Sequence, residues 1–449
     1  MSGKTLLFDT FRHKAHSQIP WIPFAGVHAG KLRGYNAVEV LTDGTKLYDA
    51  LLYAHQQYQP DGQPILFDLQ VEAEILGCEL QWDAKAPPSV LIHPLATNQD
   101  IPDRLPEAGN GRLPMILDVM RKMKATVGDQ TGLLGLVCGP FTLASHLRGT
   151  QIFLDMYDDV EFLDALLDFT TAVNKRMAHL YLEAGMDLIA VVDPLVSQIS
   201  PQHFETFLSA RFTSIFDELR QQEALSAFFV CGDATRNISV MAATHPDSIF
   251  VDENIDMVQA KEITDRYNIV LGGNIPLTSI MLYGSQEDNM KFVLDWMEAF
   301  ADHQNLVLAP GCDMPYDIPE QNVIGILQAI RDPNRVRQIL AHYQQPMILQ
   351  DIVLPDYGHL SKPLVEVFTI DSATCPACTY MLRAAESAKA QLGARIDMIE
   401  YKMTSPENIA RVRRLNIRSL PALAINGELR FASLIPDQRT LVATIEEYC

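Results

Sequence analysis

Short apolar runs alternate with longer amphipathic segments along most of the chain, from about residue 19 to residue 345. Eight of these runs are bounded by glycine, proline or aspartate and have the continuous apolar character of strands buried on both faces of a parallel sheet. The predicted strands are Ile19–Ala25, Ile65–Leu69, Leu133–Val137, Leu188–Val192, Ala227–Cys231, Ser248–Val251, Ile269–Gly272 and Leu306–Pro310.

Most of the intervals between these strands are long enough for a helix. The clearest helical patterns are Pro114–Val127, Val160–Ala184, Pro201–Glu223 and Pro319–Ala341. The last two begin with a proline, which is favoured in the first turn of a helix. Eight strand–helix units in about 330 residues predict an α/β protein whose residues 1–345 form a (β/α)8 TIM barrel.

A second pattern follows the barrel. Residues 346–362 contain Pro346, Pro355 and Gly358 and lack helical periodicity, which predicts a linker. Residues 363–449 then predict a separate small α/β domain with the element order β-α-β-α-β-β-α. Its first helix follows Cys375-Pro376-Ala377-Cys378, and Pro421 precedes its third strand.

This second domain resembles the thioredoxin/glutaredoxin fold. A helix N-terminus lowers the pKa of a neighbouring thiol, and the second cysteine of a Cys-x-x-Cys motif resolves mixed disulfides, so the motif predicts redox activity of Cys375 and Cys378. The resemblance implies a cis Pro421 that faces the cysteine pair. A domain retained only for docking is the alternative. Zinc binding by this pair alone is disfavoured because a closed zinc site needs four ligands.

Composition limits the classes of partner. The chain has 449 residues and a net charge of −21, with 56 acidic and 35 basic residues, which argues against nucleic acid or an anionic membrane surface. The first twenty residues carry charges and no apolar core, which predicts no secretory signal, and no stretch has the length of a membrane span. Seven cysteines with a single Cys-x-x-Cys favour a reducing cytoplasm. A homodimer is left open.

Two cysteines give the barrel its candidate chemistry. Cys231 and Cys312 each follow an apolar run at a glycine, so both thiols are expected at the carboxyl ends of their strands, where TIM barrels carry their active sites. If the closed barrel brings them together, two thiolates form a soft site suited to zinc. Two buried thiols without a metal are the alternative.

Other polar residues also follow predicted strands and are candidates for the same rim. Asp68 is either a reactive carboxylate or a helix N-cap, and Asp193 is either reactive or a residue that holds a loop. Asn274 follows two glycines and marks either a ligand contact or a tight turn. The remaining candidates for binding a ligand are His28, Glu74 and His146, and any of these three or Asp193 could complete a metal site.

The barrel resembles the uroporphyrinogen decarboxylase superfamily, which includes corrinoid-dependent methyltransferases. The resembling segments carry the same short glycine-, proline- and aspartate-containing motifs. They are Phe67–Glu79, Cys138–Ala144, Glu183–Asp187, Asp193–Pro194, Ile199–Pro201, Cys231–Asp233, Gly273–Asn274 and Pro310–Pro315.

Two features favour the methyltransferase branch. The stretch Pro23–Arg33 lacks the arginine-rich segment with which the decarboxylases bind their polycarboxylated tetrapyrrole. The resemblance implies that the methyltransferases hold zinc through a His-x-Cys motif and a distant cysteine. Cys231 and Cys312 match the two cysteines of that motif. Phe229 stands at the histidine position, so the chain departs from that motif.

The resemblance implies an enzyme that exchanges a methyl group between a small donor or acceptor (a methoxylated compound, a thiol or a folate) and a corrinoid. No Asp-x-His-x-x-Gly cobalamin motif occurs in the chain, so a partner protein is expected to carry the corrinoid. Zinc would act as a Lewis acid on a thiol or a methoxyl oxygen. The alternatives are a tetrapyrrole decarboxylase that uses Asp68 and a thiol-disulfide protein with a binding barrel.

Overall fold

The protein is described by a computed structural model that covers residues 2–16, 18–300, 304–343, 352–370, 372, 376–417, 420–433 and 435–449. The chain forms two compact units, of which the first contains most of the residues up to 344 and the second contains residues 345–449.

A curled parallel sheet forms the centre of the first unit. Continuous apolar runs build its strands, which are buried along their whole length except at Leu225. Nine strands occur among the described residues of this unit: β1 Gly62–Pro64, β2 Glu79–Gln81, β3 Ser89–Ile92, β4 Gly132–Cys138, β5 Leu188–Val192, β6 Leu225–Phe229, β7 Ser248–Phe250, β8 Val270–Ile275 and β9 Leu306–Pro310. Seven of them form the sheet in the order β1-β4-β5-β6-β7-β8-β9, and β2 and β3 form a separate antiparallel pair.

The segment Pro20–Ile22 closes this sheet into a barrel. The N–H of Ile22 donates to the carbonyl of Leu308 at 3.0 Å, and the N–H of Leu308 donates to the carbonyl of Pro20 at 2.9 Å. On the other side, the N–H of Asp61 donates to the carbonyl of Trp21 at 2.9 Å, next to β1. The segment therefore hydrogen-bonds to both edges of the sheet and takes the place of the eighth strand of a TIM-like barrel.

Helices surround the barrel and carry their apolar faces toward the sheet. The α-helices of the first unit are α1 Gly3–Phe11, α2 Gly26–Lys31, α3 Ala37–Thr42, α4 Gly44–Tyr58, α5 Val71–Ile75, α6 Leu113–Val127, α7 Pro140–Arg148, α8 Ile152–Asp158, α9 Val160–Glu183, α10 Pro201–Phe207, α11 Ser209–Gln221, α12 Ile238–Ala242, α13 Met257–Arg266, α14 Gln286–Ala299, α15 Glu320–Arg331 and α16 Pro333–Ile339. A π-helix spans Leu277–Leu282. None of the described helices has both the length and the apolar character needed to cross a membrane.

The second unit is a four-stranded sheet with helices. Its strands are β10 Leu364–Thr369, β11 Asp397–Lys402, β12 Ala422–Ile425 and β13 Glu428–Ala432, and its helices are α17 Pro376–Leu392, α18 Pro406–Arg414 and α19 Gln438–Glu446. The strand order is β11-β10-β12-β13, in which β10 pairs in parallel with β11 and antiparallel with β12. Helices α17 and α19 supply an apolar core under this sheet. This is the predicted thioredoxin-like arrangement.

The α/β barrel with a small α/β domain is the predicted fold class, and the strands Leu188–Val192 and Leu306–Pro310 have the predicted bounds. The first two strand predictions were wrong, and the predicted fifth strand, Ala227–Cys231, extends beyond the end of β6 at Phe229. The predicted first strand, Ile19–Ala25, makes only an isolated bridge between Trp21 and Leu308. The predicted second strand, Ile65–Leu69, contains no strand residue, because β1 ends at Pro64 just before it. Asp68 therefore lies in the loop beyond β1 rather than at the end of the strand.

Two predicted helices are interrupted. Pro201–Glu223 divides into α10 and α11 at Leu208, and Pro319–Ala341 divides into α15 and α16 at Asp332. At the second break Pro333 lacks the N–H that a continuous helix needs, and the Asp332 side chain caps the new helix by accepting from the N–H of Arg335 at 3.1 Å.

Candidate active site at the mouth of the barrel

Two cysteines meet at the carboxyl end of the barrel. Cys231 follows β6 and Cys312 follows β9, with β7 and β8 between these strands in the sheet. The two residues are joined by a disulfide with 6.1 Å between their Cα atoms, and both are partly buried. The convergence predicted from the sequence is therefore confirmed, and the sulfur atoms are bonded to each other.

An aromatic cluster lies beneath this pair. The ring centroid of Phe229 is 4.9 Å from that of Phe24, 5.7 Å from that of Phe67 and 5.9 Å from that of Phe250. All four rings are buried, and both cysteines pack against the apolar cluster that contains them. We call these four rings the aromatic floor.

The aromatic floor changes what the cysteines can bind. A catalytic zinc site uses three protein ligands, and Phe229 occupies the position where the resembling motif has a histidine. Within the described parts of the chain, no three His, Cys, Asp or Glu side chains form a group that could hold a metal ion. The donor set at the two cysteines therefore does not fit a catalytic zinc ion.

Asp68 and Glu74 share a buried cation that the sequence reasoning missed. The guanidinium of Arg112 donates to a carboxylate oxygen of Asp68 at 2.7 Å and to one of Glu74 at 2.7 Å. The Asp68 side chain is fully buried and also accepts from the N–H of Gln70 at 2.9 Å. Asp68 is thus fixed within an ion-pair network.

Arg112 stands immediately before α6, and its guanidinium lies 5.1 Å from the ring centroid of Trp82. A cation is disfavoured at the N-terminus of a helix because the helix dipole is positive there. Such a residue needs nearby carboxylates, and this mismatch was the available sequence signal for the pairing. Among the described residues, Nη2 of Arg112 is buried and has no hydrogen-bond partner.

Asp193 caps a helix. Its carboxylate accepts from the N–H of Phe141 at 2.9 Å, the N–H of Thr142 at 3.0 Å and the Oγ1 hydroxyl of Thr142 at 2.6 Å, all in the first turn of α7. Burial raises the pKa of Asp193 to about 7, and the three donors oppose that rise. The side chain therefore holds β5 to the start of α7, and a catalytic role for it remains a prediction.

Glu72, which lies in α5, holds the end of β4 in a similar way. One carboxylate oxygen accepts from the N–H of Cys138 at 3.0 Å, at the end of β4. Burial raises the pKa of Glu72 to about 7. The carboxyl group changes charge near neutral pH although it lies in the interior.

His28 belongs to a buried hydrogen-bond network that joins α2, α4 and the segment after Cys312. Its Nε2 is 2.7 Å from the Tyr58 hydroxyl, and its Nδ1 is 3.1 Å from the carbonyl oxygen of Tyr316. Burial lowers the pKa of His28 to about 4. The imidazole is therefore neutral at physiological pH and links α2 to α4.

His146 lies near the end of α7, where its Nδ1 is 4.0 Å from the sulfur of Cys138. Burial lowers the pKa of His146 to about 3. The carbonyl oxygen of the same residue accepts from the thiol of Cys78 at 3.2 Å. His146 is thus a buried, neutral side chain near the sulfur of Cys138, while its backbone carbonyl binds the thiol of Cys78, and binding of a ligand by it remains a prediction.

Asn274 secures the loop that follows β7. Its Nδ2 donates to the carbonyl of Asp252 at 3.0 Å and to that of Ile255 at 2.8 Å. The Asp252 carboxylate in turn accepts from the N–H of Gly232 at 2.9 Å, directly after Cys231. Asn274 therefore supports the backbone that positions one of the two cysteines.

Two carboxyl groups with raised pKa values accompany the other cysteine. Burial, followed by the charge of Asp252, raises the pKa of Glu253 to about 8, and one of its oxygens accepts from the N–H of Leu277 at 2.5 Å. Burial also raises the pKa of Asp313, whose Oδ1 is buried and without a hydrogen-bond partner among the described residues. Asp313 follows Cys312 in the chain, and the backbone of Glu253 lies against Gly311, the residue before Cys312.

In the second unit, the buried sulfur of Cys378 accepts from the N–H of Ile370 at 3.4 Å. The Leu420–Pro421 peptide bond is cis, as the resemblance implied. Cys375 lies outside the described residues. Redox activity of the motif remains a prediction.

The sequence match to known families decides the relationship of the barrel. The family model for uroporphyrinogen decarboxylase matches residues 2–333, which is most of the chain. The chain belongs to the uroporphyrinogen decarboxylase family. A thioredoxin domain model matches residues 365–446 and agrees with the structure of the second unit.

Relatives within this family include both branches named above. The chain is 26% identical over 337 residues to the methylcobamide:CoM methyltransferase MtbA of Methanosarcina acetivorans, an alignment that covers 73% of this chain and 97% of the relative. It is 25% identical over 288 residues to the uroporphyrinogen decarboxylase of Nostoc punctiforme, covering 62% of this chain and 79% of that protein.

The solved structure of a methyltransferase from Methanosarcina mazei superposes with a TM-score of 0.68 at 24% identity, over 74% of this chain and 98% of the other. This likeness establishes the barrel fold of the family in the first unit.

Proposed function

We propose that this protein is a methyltransferase that moves a methyl group between a small molecule and a corrinoid carried by a partner protein. The observation that carries the proposal is the meeting of Cys231 and Cys312 at the mouth of the barrel. Their positions match two of the three motif residues of the methyltransferase branch, and a methylcobamide:CoM methyltransferase aligns with this chain over 97% of its length. A cytoplasmic location is part of the proposal, since the thiol chemistry needs reducing conditions.

The corrinoid supplies a methyl group that a nucleophile can accept while cobalt keeps the electron pair of the broken bond. The chain's own task is to hold a small nucleophile at the mouth and to remove its proton. A thiol acceptor loses its proton as the new sulfur–carbon bond forms. Glu253 is the candidate acceptor, because its pKa of about 8 lies near physiological pH and its backbone borders Gly311, next to Cys312; only the ionised fraction of its carboxyl group can take the proton.

The aromatic floor contributes by excluding water. The rings of Phe24, Phe67, Phe229 and Phe250 are buried in the core against which the two cysteines pack, so this side of the cysteines is apolar and offers no competing nucleophile. Zinc is not assigned a step, because the donor set at the cysteines lacks a third ligand within the described residues.

Tetrapyrrole decarboxylation is the competing function within the family, and the environment of Asp68 disfavours it. The Asp68 side chain is fully buried and paired with Arg112 at 2.7 Å, so the guanidinium of Arg112 already balances its negative charge. A substrate that needs this group would first have to break a buried ion pair, which costs several kcal/mol.

The test is a methyl-transfer assay with the full chain under reducing conditions. Methylcobalamin serves as the donor, and coenzyme M, homocysteine and a buffer-only control serve as acceptors. We expect loss of the methylcobalamin absorbance together with an equal amount of methyl thioether measured by mass spectrometry. Uroporphyrinogen is assayed in parallel for release of carbon dioxide. Decarboxylation without methyl transfer would replace the proposal with the competing function.

The double variant Cys231→Ala, Cys312→Ala tests the site within the same assay. If the reaction takes place at the barrel mouth, this variant loses most of the rate. The matched control is Cys78→Ala, which removes a buried thiol that bonds the carbonyl of His146 and lies outside the cysteine pair. An equal loss of rate in both proteins would place the reaction elsewhere.

A further inference from the structure

The disulfide between Cys231 and Cys312 spans the barrel rather than joining neighbours. In the sheet, β7 and β8 lie between the strands that these cysteines follow. Their Cα atoms are 6.1 Å apart, which lies within the usual range of about 4.4 to 6.8 Å for disulfides. Both cysteines pack against the apolar cluster that contains the aromatic floor, so the bond joins two separate strand ends above the barrel core.

Backbone contacts hold both cysteines in place. On one side, the Asp252 carboxylate accepts from the N–H of Gly232 at 2.9 Å. On the other side, the N–H of Gly311 donates to the carbonyl of Ile275 at 3.0 Å, and a Cβ atom on Gly311 would lie only 2.6 Å from the nitrogen of Glu253. The cysteines therefore sit on two anchored turns, so breaking and remaking their bond requires little rearrangement of the backbone.

The surroundings favour sulfur–sulfur chemistry over metal binding. Phe229 places an apolar ring where a third ligand would stand, and the described residues supply no group of three donors. Both cysteines are partly exposed residues at the rim of the barrel, which is the side a dissolved reductant can approach. Disulfides in the cytoplasm are usually transient ones with catalytic or sensing roles.

The same chain carries chemistry that can act on such a bond. Its second unit matches a thioredoxin domain and contains the motif Cys375-Pro376-Ala377-Cys378. We propose that Cys231 and Cys312 form a reversible redox centre at the barrel mouth, whose substrate is a dithiol of the thioredoxin class. Its reduction opens the mouth for methyl transfer, so this second effect rests on the proposed function.

The exchange is balanced in thiols and disulfides. A thiolate of the reductant attacks one sulfur of the Cys231–Cys312 bond, which releases the other cysteine as a thiolate that takes up a proton. The second thiol of the reductant, as its thiolate, then attacks the mixed disulfide and releases the remaining cysteine. Two electrons and two protons pass from the dithiol to the barrel pair, and the reductant leaves as its own disulfide.

Differential alkylation of the full chain tests the redox centre without any methyl-transfer assay. The protein is equilibrated in buffers with varied ratios of oxidised to reduced dithiothreitol, alkylated under denaturing conditions, reduced and alkylated again with a second reagent. Peptide mass spectrometry then reports each cysteine. We expect Cys231 and Cys312 to become oxidised together along one two-electron curve, while Cys78 and Cys138 remain thiols throughout. Thiols at both positions in every buffer would overturn the proposal.

Two variants keep this result interpretable. Cys231→Ser removes one partner, so Cys312 should then remain a thiol at every ratio, as Cys78 does in the parent. Oxidation of Cys312 in this variant to the extent seen in the parent would show that it pairs elsewhere, and the proposal would fail. A folded Cys312→Ser variant provides the reciprocal test for Cys231.

The source of the dithiol is resolved by reduction rates. The oxidised parent and the variant Cys375→Ser, Cys378→Ser are treated with limiting dithiothreitol, with and without a separate thioredoxin. If the chain's own motif is the reductant, the parent's barrel pair opens at least about tenfold faster than that of the variant. Acceleration in both proteins only by added thioredoxin assigns the dithiol to a second protein. No acceleration in any arm would contradict a dithiol substrate of this class.

Methyl transfer is measured last, on protein whose redox state has been fixed. We expect the oxidised parent to transfer methyl groups at least about tenfold more slowly than the reduced parent. If Cys231 and Cys312 are oxidised and reduced as expected but neither form transfers methyl groups, the redox centre stands and the proposed function is rejected. Equal rates in both states would reject the control of methyl transfer by this pair.

Discussion

The ring of Phe229 packs against the ring of Phe24, with 4.9 Å between their centroids. Phe229 stands two residues before Cys231, where the related motif has a metal-binding histidine. Its partner Phe24 follows the segment that closes the barrel, so the aromatic floor links the closure of the fold to the chemistry at its mouth. A single residue type at this position thus separates a site with two sulfur ligands from a site with three ligands.

Restoring the histidine is expected to create metal affinity. The variant Phe229→His supplies a third ligand beside the two cysteines, so the reduced protein should bind zinc in near-stoichiometric amount while the parent does not. Elemental analysis after dialysis against a weak chelator measures this difference. Phe250→His is the matched control, since it introduces the same imidazole into the same cluster without the His-x-Cys spacing. Equal zinc in the two variants would show that position 229 has no special relation to the cysteines.

Removing Arg112 is expected to destabilise the barrel. Arg112→Met leaves the buried Asp68 carboxylate without its cation, which should lower the free energy of unfolding by about 3 kcal/mol. Urea unfolding followed by tryptophan fluorescence reports this change, because Trp21, Trp82 and Trp296 all lie in the first unit. Arg121→Met on the exposed face of α6 is the control.

The double variant Arg112→Met, Asp68→Asn tests whether the unpaired charge causes this loss of stability. Because the amide that replaces the carboxylate carries no charge, this protein should recover part of the stability that Arg112→Met loses. A double variant no more stable than Arg112→Met would indicate that packing of the Arg112 side chain, and not its charge, is what the barrel requires.

Glu72 predicts how stability depends on pH. Its pKa is raised from 4.5 to about 7, so the folded state binds more protons than the unfolded state between these values. The parent's free energy of unfolding therefore falls as pH rises through this window. Glu72→Gln keeps an acceptor for the N–H of Cys138 and removes the charge. The variant should match the parent at pH 4 and exceed it by up to about 3 kcal/mol at pH 8.

The measurement is chemical unfolding of parent and variant at several pH values. Glu262→Gln, an exposed position in α13, is the control and should show no such growth with pH. A constant difference between Glu72→Gln and the parent across the whole range would contradict a raised pKa for Glu72.

Thr142 offers a test of the cap on α7 that leaves Asp193 in place. Thr142→Val removes the hydroxyl that donates to the Asp193 carboxylate at 2.6 Å and accepts from the N–H of Leu195 at 3.3 Å. A hydrogen bond to a charged group contributes about 1.5 to 3 kcal/mol, so the variant should lose stability of that order. Thermal unfolding of Thr142→Val beside Thr126→Val, an exposed threonine on α6, measures the difference. Equal melting temperatures would exclude a stabilising contribution of the Thr142 hydroxyl to this cap.

The sequence predicted the barrel well where strands are buried on both sides. Leu188–Val192 and Leu306–Pro310 are continuous apolar runs that end at aspartate or glycine, and their bounds are as predicted. The first strand, predicted as Ile19–Ala25, was predicted too long because Trp21 makes only one bridge to Leu308. Apolar character reports burial, and burial does not require a full ladder of hydrogen bonds.

Prediction of the site was less complete for a physical reason. The strand ends placed Cys231 and Cys312 together, since parallel strands direct their carboxyl ends to one rim. The pairing of Asp68 with Arg112 depends on a contact between a loop and a distant helix terminus, for which the hydrophobic pattern carries no information. The packed structure determines which partner a buried polar group has. The sequence shows only that such a group needs a partner.

The manner in which Pro20–Ile22 completes the barrel has a consequence for any shortened form of the chain. Without this segment, β1 and β9 would each present a row of unpaired backbone donors and acceptors. Open edges of that kind recruit strands from other molecules. A truncation that begins after Ile22 would therefore give a protein prone to self-association, however intact its remaining strands and helices.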